Sequence, residues 1–158
     1  MNNKASKLEV VPDGKHRYVL ALSPEYGRQR SHLQDDGAST EAVAALEQAV
    51  TRSETKLPEG IRGGLIIDMA DVDYMNSSAI GSIFSLRKFV RSNGARMVVS
   101  RPTPAIRRLL DTVNLPSLIP VTQTLDDARS KLTELNEALN EMERLESSAR
   151  KSAADGEA

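Results

Sequence analysis

Leu65-Ile66-Ile67-Asp68-Met69-Ala70-Asp71-Val72-Asp73-Tyr74-Met75-Asn76-Ser77-Ser78-Ala79-Ile80-Gly81 is the stretch that decides how this chain folds. It opens with Leu65-Ile66-Ile67-Asp68-Met69, preceded by Gly63-Gly64 and followed by polar residues. The run is too short for a helix and rich in branched side chains, which predicts a central strand buried on both faces. Asp71 to Ser78 forms a polar connection. Helical spacing then resumes at Ile80, Ile83, Phe84 and Val90 and stops at Asn93-Gly94, a helix C-terminal signal. Asn76-Ser77-Ser78 therefore stands between a buried strand and the N-terminus of a helix. Recognition sites in open α/β sheets gather at such places. The same residues also make good N-caps, and by local chemistry alone the cap is the commoner role.

Upstream, Leu8-Glu9-Val10-Val11 and Arg17 to Leu22 flank the turn signal Pro12-Asp13-Gly14-Lys15, predicting a β-hairpin. Ser23 to Ser39 has no periodicity and reads as a long loop insertion. Ser39 or Thr40 can cap a helix whose apolar face carries Val43, Leu46 and Val50. Downstream, Ala95 to Ser100 predicts a strand. Thr103-Pro104 starts a helix with Ile106, Leu109, Leu110 and Val113 on one face. Leu118-Ile119-Pro120-Val121 reads as a short edge strand. Thr124-Leu125-Asp126-Asp127 resembles a capping box, and Leu125, Ala128, Leu132, Leu135, Leu139 and Met142 then form a heptad stripe that ends at Glu146.

The predicted order is β-β-α-β-α-β-α-β-α. It implies an α/β fold with a mixed, mainly parallel five-stranded sheet and about four helices. The expected organisation is a flexible N-terminus over 1–7, a domain over 8–137 containing the loop insertion 23–39, and a helical extension with a disordered acidic tail over 138–158.

Composition narrows the function. The 158 residues carry 21 basic and 22 acidic side chains, a formal net charge of −1, which argues against general nucleic-acid binding. The charge is uneven: residues 61–122 are net basic and residues 123–158 net acidic. Cysteine is absent, so disulfides, thiol catalysis and Cys-ligated zinc are excluded. The two histidines, His16 and His32, lie in a hairpin and an irregular loop, poor places for a catalytic triad. No Gly-rich phosphate loop occurs. Asp68, Asp71 and Asp73 are the acidic group beside the buried strand, and loop solvation outweighs a metal role for them. No segment approaches the ~20 apolar residues a bilayer span needs. A non-enzymatic, cytoplasmic protein without cofactor or metal is expected.

Residues 65–81 also resemble the central signature of the STAS domain family, of the anti-sigma factor antagonist type: an apolar strand, an Asp turn, then Asp-Ser-Ser/Thr-Gly-Leu-Gly. Asn93 to Val99 is similar to the family's Gly-led fourth strand, and Pro104 to Leu110 with Asn114-Leu115 to its third helix. The likeness is weak over 8–22 and good over 40–137. It implies a partner-switching regulator in which Ser77, with Ser78 as backup, is the phosphorylation site. The implied partners are an ATPase-type serine kinase that is also an anti-sigma factor, and a metal-dependent serine phosphatase. The implied partner surface comprises Tyr74, Met75, Asn76, Ser77, Ser78, Ala79 and Ser82. Two positions depart from the signature: Asn76 replaces the family's Asp, and Ala79 its first Gly. Both bear on the phospho-switch more than on the fold. A STAS scaffold in a signalling or lipid-transport assembly, without phosphorylation, is the alternative. The end of the heptad helix offers a possible homodimer contact.

Overall fold

The computed structural model describes residues 8–28 and 37–155. The expected flexible segment 1–7 and much of the expected insertion lie outside the described residues. Strands β1 (Leu8–Pro12), β2 (Arg17–Leu22), β3 (Gly64–Asp68), β4 (Met97–Ser100) and β5 (Val121–Thr122) form one sheet in that spatial order. The β1–β2 pair is antiparallel and the other three pairs are parallel. Helices α1 (Pro24–Gly27), α2 (Gly37–Arg52), α3 (Ser77–Ser92), α4 (Pro104–Thr112) and α5 (Leu125–Asp155) connect and cover it. Short 3-10 turns occupy Glu59–Ile61 and Leu115–Ser117.

The apolar run of β3 is continuous because both faces of the sheet are covered. Leu65 and Ile67 point into the larger core with Leu20, Leu46, Ile83 and Leu110. Ile66, between them, joins Val19, Val98, Ala128 and Leu132 on the face covered by α5. All five residues of β3 are buried. Gly64 is required here: its φ is +102°, and a Cβ would sit 2.7 Å from Leu132 Cδ2. Its bare backbone lets α5 lie close to the sheet.

Four expectations need correction. The segment 23–39 is not loop throughout, since α1 fills 24–27 and α2 begins at Gly37, ahead of the expected caps. Among the described residues the helices accordingly number five, where about four were expected. The last strand is Val121–Thr122, not 118–121: Leu118 caps a 3-10 turn, Ile119 turns into the core, and Pro120 has no N–H to give a ladder. Finally, within the segment 138–158, expected to pass from helix into a disordered acidic tail, the helix continues through Asp155. Good helix formers and the pairs Glu141–Arg144 and Glu146–Arg150 support this extension without a core beneath it.

Candidate functional site

The site lies at the C-terminal edge of the parallel strands, where β3 gives way to α3. Asn76 is the N-cap of α3, in extended conformation (φ −92°, ψ 176°). Its Oδ1 accepts from Ala79 N at 2.9 Å, and its own amide donates to Gly27 O at 2.8 Å. Ser77 follows as the first helical residue and is exposed; Ser78 is half-buried. Among the described residues, no side-chain hydrogen bond engages Ser77 Oγ. The amides of Ser77 and Ser78 belong to the first turn, where backbone donors lack intrahelical partners and the helix dipole is positive.

Helix α1 braces this corner from behind. Gly27 packs so tightly on the connection that a Cβ there would lie 1.6 Å from Tyr74 O. Tyr26 is buried, and its hydroxyl shares a short hydrogen bond with Ser82 Oγ, which also donates to Ala79 O at 2.8 Å. Arg28 reaches forward: it pairs with Asp73 at 3.1 Å and lies over the Tyr74 ring, 5.8 Å from its centroid. The ring is half exposed and is held against Arg28 by this stacking. The hydrogen bond from Arg28 holds the Asp73 carboxyl below its ordinary value.

The expected partner surface therefore divides. Tyr74, Asn76, Ser77 and Ser78 reach the surface. Met75, Ala79 and Ser82 are buried. Ala79 falls on the inward stripe of α3 with Ile83, Leu86 and Val90, where its methyl fills core space.

The acidic group is likewise engaged. Asp68 receives a bidentate fork from Arg101, with Nε at 3.0 Å and the second nitrogen at 2.6 Å, and its Oδ1 accepts from Ala70 N. Arg101 holds this position with a left-handed φ of +59°, and its guanidinium is raised by the Asp68 hydrogen bond. Among the described residues, no three His, Cys, Asp or Glu side chains converge on a metal position. His16 stands in the hairpin with φ +58°, and His32 lies outside the described residues.

Sequence reading missed Arg28, Gly27 and Arg101. Ser23-Pro24 is a start signal for α1, but one helical turn carries no hydrophobic period. Nothing in the sequence marks Arg101 as the partner of Asp68.

The STAS domain family model matches residues 36–128. An anti-sigma F factor antagonist of Paenibacillus polymyxa is 30% identical over 71 residues, 45% of this chain and 58% of that protein. The match thus spans rather more than half the length of that relative. Among solved structures, the NMR structure of Thermotoga maritima protein TM1081 has a TM-score of 0.59 at 14% identity, covering 84% of this chain and 92% of its own. The anti-sigma factor antagonist SpoIIAA of Bacillus, unphosphorylated, has a TM-score of 0.55 at 16% identity, covering 80% and 96%. In its phosphorylated form the values are 0.50, 15%, 79% and 98%. Among the described residues, no helix is long and apolar enough to cross a membrane.

Proposed function

The chain belongs to the STAS domain family, and on that premise we propose that it is an anti-sigma factor antagonist whose binding is controlled by phosphorylation of Ser77. Its partner is an ATPase-type serine kinase that also restrains a sigma factor. A metal-dependent serine phosphatase resets it. The observation that carries this reading is the exposed Ser77 on the first turn of α3, where its hydroxyl is open to a docking partner. The matched relative bears the same functional name, and SpoIIAA is described in both phosphorylated and unphosphorylated forms.

The physics of the switch follows from that position. A phosphate adds about −1.5 to −2 charge with strong acceptor oxygens. At a helix N-terminus it meets unpaired amides and a favourable dipole, so the fold tolerates it. A docked partner that fits the bare hydroxyl does not. Turning such an equilibrium from 1:99 to 99:1 takes about 5.5 kcal/mol of differential binding, which desolvating a misplaced dianion supplies.

The test is binding of purified protein to that kinase, wild type against Ser77→Asp. The variant is expected to bind at least ~100-fold more weakly, about 2.7 kcal/mol, with a Tm equal to or above wild type because the new carboxylate sits at the positive end of the dipole. Unchanged affinity would instead support the second reading, a STAS scaffold without phosphorylation in a signalling or lipid-transport assembly. The neutral Asn76, in place of the signature's acid, is the observation that favours that reading.

A further inference from the structure

The far end of α3 carries a feature the switch does not use. Arg87 and Arg91 stand one turn apart on α3, and Arg96 precedes β4. Together they line a cavity of about 170 Å³ whose other walls include Leu118, Pro120 and Leu135. At about 1.5 Å per residue, Arg91 lies about 21 Å along the helix from Ser77, so the two places are separate.

Three guanidinium groups crowd this cavity without a counter-charge. Among the described residues, none of the three pairs with a carboxylate. Arg17, Arg101 and Arg129, by contrast, are each matched to an aspartate. The side-chain hydrogen bonds that hold the cluster go to backbone: Arg87 Nε to Leu118 O and Arg96 to Ala95 O, both at 3.2 Å. Burial first, and then the neighbouring arginine charges, push the Arg87 and Arg96 guanidinium groups down from their ordinary value. Like charges at this spacing disfavour the folded state, and an anion between them reverses the sign of that interaction.

We propose that Arg87, Arg91 and Arg96 hold a small phosphate monoester, its phosphate engaged by their guanidinium forks and its organic part against Leu118, Pro120 and Leu135. Planar guanidinium forks match phosphate oxygens two at a time, which a lysine cluster would not. The apolar wall distinguishes the site from one for a bare inorganic anion. The volume lies below the roughly 300 Å³ at which pockets for drug-sized ligands begin, so it suits a phosphate on a short carbon chain rather than a whole nucleotide. A phosphate of this kind comes either from a free metabolite or from a lipid headgroup.

The experiment is an NMR titration of the full ¹⁵N-labelled chain with glycerol 3-phosphate at constant ionic strength, alongside flotation with vesicles containing phosphatidic acid. Saturable shifts confined to residues 87–96 and 116–120 and the Arg Nε–Hε signals are expected, together with at least tenfold weaker binding for Arg91→Gln. Arg91→Lys is expected to fall between, since it keeps the charge and loses the fork. Vesicle flotation abolished by Arg91→Gln, alongside the saturable shifts, would name the headgroup as source; shifts without flotation would name the free ester. Shifts that grow linearly and match those from sodium chloride would overturn the site, as would shifts centred on Ser77 to Ala79. Because the readout is local to the far end of α3, its failure leaves the Ser77 reading standing, and loss of the Ser77 switch leaves this one standing.

Discussion

Asn76 joins two backbones at one point: its amide ties α1 to the connection and its side chain caps α3. Asn76→Ala removes the cap and is expected to cost about 1 kcal/mol, read as a lower urea midpoint with an unchanged slope. Asn76→Asp keeps the acceptor and adds charge at the positive end of the dipole, so it is expected to match or exceed wild type by about 0.3–1 kcal/mol. Asn76 and Ser77 were legible in sequence because polar caps before a helical period mark a helix start. The burial of Ala79 was not read, because the apolar spacing that predicts α3 runs through Ile80, Ile83, Phe84 and Val90, whereas the buried face runs through Ala79, Ile83, Leu86 and Val90. The expected partner surface, with Met75, Ala79 and Ser82 in it, follows the contiguity of the signature, which carries no information on burial. What no spacing revealed was Tyr26, whose hydroxyl meets Ser82 from 56 residues away.

At the scale of elements, α1 shows how a single turn can govern a site. Its four residues wedge Gly27 under Tyr74 and place Arg28 over the ring. Gly27→Ala forces backbone apart at that contact and is expected to cost about 1–3 kcal/mol, seen as a lower Tm and as altered exposure of Tyr74 in its fluorescence. An unshifted Tm would mean that α1 does not brace the site. Elements with a full period, α3 and α4 among them, were legible from side-chain spacing and caps: Thr103 accepts from Ile106 N as its position before Pro104 implies. Short elements were not. The four-residue α1 and the two-residue β5 offer too few positions for a period of 3.6 or of 2 to show.

At the scale of the molecule, Asp13 links the first hairpin to the last helix. It accepts from Arg17 within the hairpin and from Arg129 of α5 at 2.8 and 3.1 Å, across 116 residues of chain. Burial pushes the Asp13 carboxyl up, but Arg129 and Arg17 together outweigh it and hold the carboxyl below its ordinary 3.8. A lowered folded-state value contributes stability above the unfolded value that is lost as pH falls through the folded one. Thermal melts from about pH 6 to about pH 2 should therefore show a smaller acid-side loss in Asp13→Asn than in wild type; parallel curves would remove Asp13 from the acid response. The sheet itself was legible from the alternation of strands and helices after residue 40. The hairpin-to-α5 link was not, because charge pairing across the fold leaves no local pattern.

The central claim is that a kinase reads and modifies the Ser77 hydroxyl. Intact-mass and peptide mapping after incubation with ATP and the ATPase-type serine kinase test it most directly. One phosphate per chain, located on Ser77 and absent from Ser77→Ala, is the predicted result; an unmodified chain, or phosphate that persists in Ser77→Ala, would contradict it.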